Sequence, residues 1–399
     1  MPNIRSLNKM DFTKTIPNRE DKIAAAPLDD AKPLDAYIAN RLAKALHPDA
    51  QYLKISKIID EGGDSKTFVL VPDGEKTKEL AYFKAGSYLS ISLTIGSTKL
   101  TRPYSLSSSP KESLQGVYRL TIKRAQGGLA SNYILDHWAV GDLVIASAPL
   151  GQFTYSPIRD AKIVVGLAGG SGITPFYSLA QAIADGDEDC QLILLYGSKT
   201  LEDALFEKSF KAIEERCPSF RLINVLSNEE RAGCEKGFLS AEMIKKYAPK
   251  GDYSLFICGP QAMYDFLEKE TPKLSLRRKF IRHELFGEVH DPSRDPSYPE
   301  KGVGGHFQAK VIVAGESRLV PISADESLLC SLEKAGIATP AHCRSGVCGF
   351  CHSRLIKGEV YIPSKLDGRR MADKIYGYIH PCVSFPLSDI EIDVPPFKH

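Results

Sequence analysis

Four of the nine cysteines lie near the C-terminus and are spaced like a ligand set. Cys343, Cys348 and Cys351 fall within the stretch PAHCRSGVCGFCHSRL, and Cys382 follows after thirty further residues. Thiols crowd together in disulfide frameworks, zinc sites and iron–sulfur clusters. The cysteine count is odd and the chain opens on a polar segment without the apolar core of a secretory signal. Both features argue against a disulfide framework.

The spacing of these cysteines separates the remaining possibilities. C-x4-C-x2-C with a distant fourth cysteine is the plant-type [2Fe–2S] pattern. A zinc site more often shows two C-x2-C pairs, and only one occurs here. The nearby histidines lack the paired runs of a Rieske centre. We therefore expect the four cysteines to bind a [2Fe–2S] cluster, with backbone N–H groups of Arg344, Ser345 and Gly349 free to face its sulfides.

Two glycine-containing turns follow apolar runs that are typical of buried strands. GLAGGSGITP precedes a predicted helix, and FICGPQAM ends a later strand of the same predicted sheet. Glycines let a backbone approach a pyrophosphate, and a helix N-terminus favours anions. One such turn alone could be a tight strand–helix connection, but two at one sheet edge favour a nucleotide site. The expected binding residues are Gly169, Gly170 and Thr174 in the first turn and Cys258, Gly259 and Pro260 in the second.

Two further motifs lie upstream, in a region of short predicted strands. RPYSLSS offers an arginine suited to phosphate, a flat tyrosine ring and a small hydroxyl. RAQGGLASNYI places glycines and a serine directly before a helical stretch, as a second anion site requires. The candidate cofactor-binding residues are Arg102, Pro103, Tyr104 and Ser105 in the first motif and Gly127, Gly128 and Ser131 in the second.

In this order, the four motifs resemble those of the ferredoxin–NADP reductase superfamily. The resemblance covers about residues 51–286, and residues 306–395 resemble plant-type ferredoxins. It implies an antiparallel barrel that binds FAD and a nucleotide-fold domain that binds NADH or NADPH. The domain order, with the reductase domains first and the ferredoxin domain last, resembles that of the reductase components of phenylacetyl-CoA oxygenases and related multicomponent systems.

The resemblance also implies roles for residues on the flavin side. Arg102 would hold a flavin phosphate, Tyr104 would lie against the ribityl chain and ring, and Ser105 would hydrogen-bond near flavin N5. Gly128 and Ser131 would hold the pyrophosphate of FAD.

On the nucleotide side, the resemblance places Gly170 and Thr174 at the nicotinamide nucleotide and Cys258 near the nicotinamide itself. A small core residue at a strand end is the other interpretation of Cys258. In HELFGE, Glu284 and Phe286 stand where the family often has an acid and an aromatic residue beside the flavin. The residues expected to take part in hydride transfer are Ser105, Cys258 and Phe286.

The stretch VLSNEER bears on the choice between NADH and NADPH. NADPH-specific relatives often carry a Ser–Arg pair there to grip the 2′-phosphate, whereas here Ser227 is followed by Asn228 and then by Glu229 and Glu230. The acids disfavour an extra phosphate, although Lys199 and Arg231 could compensate. NADH is therefore the expected donor, with NADPH possible.

Local patterns indicate the elements that position these motifs. Short β runs up to about residue 150 suggest a small barrel, and buried strands alternating with helices then indicate a parallel doubly wound sheet. A Pro- and Gly-rich stretch is typical of a linker, and the last part indicates an α+β, β-grasp-like ferredoxin domain. The expected domains are 1–48 (an extension with one helix), 49–155 (FAD-binding β-barrel), 156–286 (NAD(P)H-binding α/β domain), 287–305 (linker) and 306–399 ([2Fe–2S] domain).

Composition narrows the classes of partner. The net charge of +2 gives no reason to expect nucleic acid or anionic membrane as a partner, and no apolar run is long enough to span a bilayer. We expect a cytoplasmic oxidoreductase that passes electrons from NADH through FAD to [2Fe–2S] and on to a separate terminal oxygenase or reductase. The alternatives are an electron-transfer subunit of a flavin dehydrogenase complex and a non-catalytic redox sensor.

Overall fold

The computed structural model describes residues 17–25, 33–285 and 291–397, in two compact units, 1–45 and 46–399. The helix predicted between residues 33 and 48 is present as α2 (Ile38–Leu46). A shorter helix, α1 (Arg19–Ala25), was not predicted and corrects the expectation of one helix in this segment. Its sequence, REDKIAA, has one large apolar residue in two turns, so no apolar stripe marks it as helical.

The first domain of the larger unit is a six-stranded antiparallel sheet that curls into a barrel. Its strand order is β4-β3-β6-β1-β2-β5, and a bridge between Leu106 and Leu120 joins the two edges. Alternate residues such as Leu53 and Ile55 point into a shared apolar core. The elements are β1 (Gln51–Gly62), β2 (Ser65–Pro72), β3 (Tyr88–Ile95), β4 (Thr98–Ser105), α3 (Pro110–Leu114), β5 (Tyr118–Lys123), α4 (Leu129–His137) and β6 (Leu143–Ala146). The predicted antiparallel barrel is confirmed.

The second domain is a parallel sheet with an apolar core on each face. Along its first strand, Val164 and Ala168 belong to one core, whereas Val165 and Leu167 belong to the other. This alternation explains why the strand reads as a continuous apolar run. The elements are β7 (Ile163–Gly169), α5 (Thr174–Asp185), β8 (Gln191–Ser198), α6 (Glu207–Arg216), β9 (Phe220–Leu226), β10 (Glu235–Lys236), α7 (Ala241–Tyr247), β11 (Ser254–Cys258), α8 (Gln261–Glu270) and β12 (Ile281–Glu284).

The strand order of this sheet, β10-β9-β8-β7-β11-β12, places a topological switch between β7 and β11. Connections run to one side of β7 first and to the other side afterwards, so the loops after β7 and β11 diverge and leave a crevice. Both predicted glycine turns follow these two strands.

The third domain has a five-stranded mixed sheet in the order β14-β13-β19-β15-β17, as predicted for a β-grasp-like ferredoxin domain. A single helix packs on the hairpin that opens it, and a long loop between helix and sheet carries three of the four clustered cysteines. The elements are β13 (His306–Val313), β14 (Glu316–Ser323), α9 (Leu328–Lys334), β15 (Ser353–Lys357), β16 (Val360–Tyr361), α10 (Met371–Ile375), β17 (Tyr378–Ile379), β18 (Phe385–Pro386) and β19 (Ile390–Val394).

Within residues 17–25, 33–285 and 291–397, none of the helices combines the length and hydrophobicity needed to cross a membrane.

Candidate functional site

The two predicted glycine turns meet at the switch point. A Cβ atom added to Gly172 would lie 2.2 Å from the carbonyl oxygen of Cys258 and 2.6 Å from the amide nitrogen of Gly259. Only glycine fits such an approach, so the loop after β7 is pressed against the end of β11. Thr174 then starts α5, and its hydroxyl donates to the carbonyl of Ser171 at 3.0 Å. The crevice is lined by backbone at a helix N-terminus, which suits the phosphates of a dinucleotide.

Cys258 and Glu284 lie side by side at the carboxyl ends of β11 and β12, which pair in parallel at this position. Both are buried. Burial raises the pKa of Glu284 well above its ordinary value, and it raises the pKa of the Cys258 thiol, with a further contribution from Glu284. The carboxyl oxygen Oε2 of Glu284 makes no hydrogen bond with any residue the structure describes. A buried polar atom in this state is suited to a ligand group in the crevice.

The barrel meets this crevice through Tyr88 and Gly151. Tyr88 begins β3 and pairs with Ser105, the last residue of β4. A Cβ atom at Gly151 would lie 3.0 Å from the Tyr88 ring and 3.7 Å from Oε1 of Glu284. The predicted Ser105 therefore belongs to the same neighbourhood as Glu284 through its strand partner Tyr88. The flavin-side and nicotinamide-side residues lie at one junction between the two domains.

The second anion site also has the shape that a phosphate requires. Gly128 is the N-cap of α4, and a Cβ atom there would lie 2.7 Å from Oγ of Ser131. That Oγ accepts a hydrogen bond from the backbone of Ala125 at 3.3 Å, which fixes the loop over the helix start. The buried Oδ1 of Asn132 has no partner in the described part of the chain. The loop and helix N-terminus fit the pyrophosphate of FAD.

The acids of VLSNEER are held in place by ion pairs. Glu229 accepts the backbone N–H of Leu201 at 2.9 Å and pairs with Arg231 at 3.3 Å. Glu230 pairs with Lys236. Since Arg231 already faces a carboxylate, its capacity to attract a 2′-phosphate is reduced.

The four cysteines of the third domain converge as two pairs. The Cys351 thiol donates to Sγ of Cys382 at 3.4 Å, and the thiols of Cys343 and Cys348 hydrogen-bond to each other. Across residues 17–25, 33–285 and 291–397, no three His, Cys, Asp or Glu side chains converge on a site for one metal ion. Two thiols for each of two irons is the donor set of a [2Fe–2S] cluster, so the residues present fit that group.

Backbone amides support the first pair. The N–H groups of Ser345 and Cys348 point at Sγ of Cys343, at 3.5 and 3.4 Å, and the N–H of Phe350 points at Sγ of Cys348 at 3.4 Å. The hydrogen bond from Cys348, with smaller contributions from these amides, lowers the pKa of Cys343 to about 5. The amide of Ser345, predicted to face a cluster sulfide, points here at a cysteine sulfur, and the amide contacts to the sulfides stay a prediction. A thiolate at neutral pH is the form that binds iron.

The cluster loop packs directly on the barrel. The hydroxyl of Thr101 donates to the carbonyl of Ala341 at 2.7 Å, two residues before Cys343. Ser90, two residues along β3 from Tyr88, donates to the same carbonyl at 3.4 Å. The loop that carries Cys343 is therefore held against β3 and β4, and β4 carries the predicted flavin motif.

Three residues of this region have no signal in the linear sequence. Tyr88 reaches the crevice through its pairing with Ser105, and Gly151 follows Leu150, which forms a bridge with Tyr88. Glu333 approaches Arg102 from the third domain, with 3.6 Å between its Oε2 and Nη1 of the arginine. The antiparallel register between β3 and β4 is the one pattern that could have indicated Tyr88, opposite Ser105. The predicted Phe286 lies outside the described residues.

Three protein-family models match successive parts of the chain. An oxidoreductase FAD-binding domain matches residues 53–155, an oxidoreductase NAD-binding domain matches residues 167–269, and a 2Fe-2S iron-sulfur cluster binding domain matches residues 311–387. These matches confirm the predicted cofactors FAD, a nicotinamide nucleotide and [2Fe–2S]. The individual binding residues and the domain boundaries stay predictions.

Two relatives that match along most of the chain are reductases of monooxygenases. The ferredoxin reductase component of 3-ketosteroid-9-alpha-monooxygenase from Mycobacterium tuberculosis (strain CDC 1551 / Oshkosh) is 30% identical over 345 residues, 84% of this chain and 93% of the relative. The reductase subunit of glycine betaine monooxygenase from Chromohalobacter salexigens is 26% identical over 352 residues, 84% of this chain and 93% of the relative.

A solved structure agrees in fold. The solved structure of phthalate dioxygenase reductase has a TM-score of 0.63 and 24% identity, and the match covers 86% of this chain and 98% of that one. With the motifs, the three family matches and these relatives, the chain belongs to the ferredoxin–NADP reductase superfamily, in the group of flavin-dependent reductases that carry a C-terminal [2Fe–2S] ferredoxin domain.

Proposed function

We propose that this chain is the NADH-dependent reductase component of a multicomponent oxygenase. In this role it oxidises NADH at the crevice between the first two domains and delivers electrons through the third domain to a separate oxygenase. FAD, when bound, supplies the conversion of the two electrons of one hydride into single electrons, and the [2Fe–2S] cluster supplies one-electron transfer. The two relatives named above are reductase components of monooxygenases, and they support an oxygenase as the acceptor.

One observation carries the proposal: all three domains meet around Tyr88. Burial raises the pKa of the Tyr88 phenol, and the nearby Cys343, Cys348 and Glu284 raise it further. Tyr88 therefore lies within electrostatic reach of both the cluster thiols and the acid of the nicotinamide crevice. A protein that moves electrons between these centres needs them at short range, and this junction provides it.

The residues of the crevice would hold the reactants and exclude water. Arg102 and the amides around Gly128 would bind flavin phosphates, because a guanidinium and a helix N-terminus both favour anions. Burial disfavours the charged forms of both Cys258 and Glu284 beside the nicotinamide. A dry, uncharged environment at the reacting carbon keeps water from competing for the hydride.

The compartment and donor follow from the same chemistry. The proposed cluster is bound by reduced thiols, which persist in a reducing compartment, so we place the protein in the cytoplasm. NADH is the donor that the carboxylates Glu229 and Glu230 favour over NADPH, because they repel a 2′-phosphate.

An anaerobic titration of the purified protein with NADH, and separately with NADPH, tests the proposal through visible absorption. We expect flavin and cluster bands to bleach at low NADH and at much higher NADPH. A protein in which neither nucleotide bleaches the flavin is not a pyridine-nucleotide reductase. Continuous NADH oxidation with an artificial one-electron acceptor distinguishes a reductase from a redox sensor, which would stop after one reduction.

A further inference from the structure

A buried ionic network joins the cluster loop to the flavin motif. Glu333, near the end of α9, receives two hydrogen bonds from the guanidinium of Arg344, at 2.6 and 2.8 Å. Arg344 directly follows Cys343 and is 1% exposed, and Glu333 is 4% exposed. The same carboxylate lies 3.6 Å from Nη1 of Arg102, on β4 of the barrel. One carboxylate of the third domain thus faces two arginines, one from each side of the domain boundary.

The backbone completes the link. The carbonyl of Thr101 accepts hydrogen bonds from Arg102 at 2.9 Å and from Arg344 at 3.3 Å. Charges therefore alternate from the cluster loop toward the flavin motif: Arg344 positive, Glu333 negative, Arg102 positive. Without the carboxylate, two guanidiniums would face each other across the boundary. Burial raises the pKa of Glu333 to about 8, whereas Arg102 and the two hydrogen bonds from Arg344 favour the ionised carboxylate.

We propose that Glu333 is a positioning residue that docks the ferredoxin domain on the flavin domain by neutralising the repulsion between Arg102 and Arg344. This inference rests on the proposed function, in which Arg102 also binds a flavin phosphate. The same arginine then takes part both in docking the ferredoxin domain and in binding flavin. Glu333 touches neither cofactor site directly and acts through the two arginines.

The substitution Glu333→Gln tests this in the full-length, cofactor-loaded protein. It keeps the shape of the side chain, removes the charge and turns an amide donor toward one arginine. We expect NADH to bleach the flavin at a rate within twofold of wild type, while the cluster bleaches at least tenfold more slowly, because only the docked form places the cluster beside the flavin. The radius of gyration from small-angle scattering should increase. Glu359→Gln is the matched control, since its carboxylate pairs with Lys301 at an exposed position, and it should match wild type in all three readouts.

Cluster bleaching within twofold of wild type, with an unchanged radius of gyration, would overturn the proposal. If Glu333→Gln does not retain its cluster, the double variant Glu333→Leu/Arg344→Met tests the proposal instead. Replacing both members of a buried ion pair with apolar residues commonly preserves the stability of the fold. Because this variant lacks Arg344, the repulsion is absent, and its cluster reduction should return to within about twofold of wild type; a rate still at least tenfold slower would overturn the proposal. Failure of NADH to reduce wild-type flavin would refute the proposed function, whereas the scattering comparison would still test Glu333.

Discussion

The contact between the two turns of the nucleotide crevice gives the sharpest test of the candidate site. Gly172→Ala would place a Cβ atom 2.2 Å from the carbonyl oxygen of Cys258, where ordinary contact needs about 3.4 Å. The atom that must move is backbone, which cannot rotate away. Relief therefore requires the end of β11 to move by about 1 Å relative to the loop after β7. A displacement of that size at a reacting centre costs on the order of 100-fold in rate.

Stopped-flow measurement of flavin bleaching by NADH reads this effect directly. Gly197→Ala is the matched control, because it lies at the end of the neighbouring strand β8 and its added Cβ would meet nothing closer than 3.5 Å. We expect the control to stay within twofold of wild type and Gly172→Ala to fall on the order of 100-fold, with the cluster spectrum unchanged. A Gly172→Ala rate close to that of the control would refute the argument that these turns form the site.

Three further outcomes are expected. Cys348→Ser should abolish the cluster's absorption and iron content while NADH still bleaches the flavin, with Cys234→Ser as control; loss of both signals would contradict separate centres. Burial raises the pKa of Glu284, so between its unfolded and folded pKa values the folded protein holds a proton that the unfolded chain has lost. The contribution of Glu284 to the free energy of unfolding is therefore fully present below about pH 4.5 and is lost as the pH rises toward the folded pKa. Denaturant titrations should show the free energy of unfolding of wild type falling relative to that of Glu284→Gln by about 1.4 kcal/mol per pH unit in that window. The same pH dependence in both proteins would exclude a buried acid at this position. Glu229→Gln should lower the KM for NADPH on the order of fivefold, because the repulsion between two unit charges about 4 Å apart in water is ~1 kcal/mol. The KM for NADH should stay unchanged. An equal change for both nucleotides would show that Glu229 does not contribute to the selectivity.

Local sequence patterns determined most of the architecture and the chemistry. Cysteine spacing alone indicates the cluster, because iron–sulfur ligation is set by which thiols a short loop can present. Continuous apolar runs ending in glycine indicated the parallel sheet and its crevice. Strands buried on both faces need apolar residues at every position, and the turns before the helices need glycine, so both features are visible in the sequence. α1 was missed since seven residues are too few to display a helical period.

The tertiary structure decided which motifs meet. Tyr88 enters the site because β3 pairs with β4 in a register that no short motif encodes, and Gly172 is tied to Cys258 because β7 and β11 are neighbours across the switch point. In the sequence, Glu333 is one charged residue on an amphipathic helix. Its position between Arg102 and Arg344 depends on the packing of the third domain against the barrel. The sequence by itself determined the groups that bind flavin, nucleotide and iron, because each is held by a local loop. Their mutual arrangement depends on contacts between residues as many as 251 positions apart, so only the folded chain determines it.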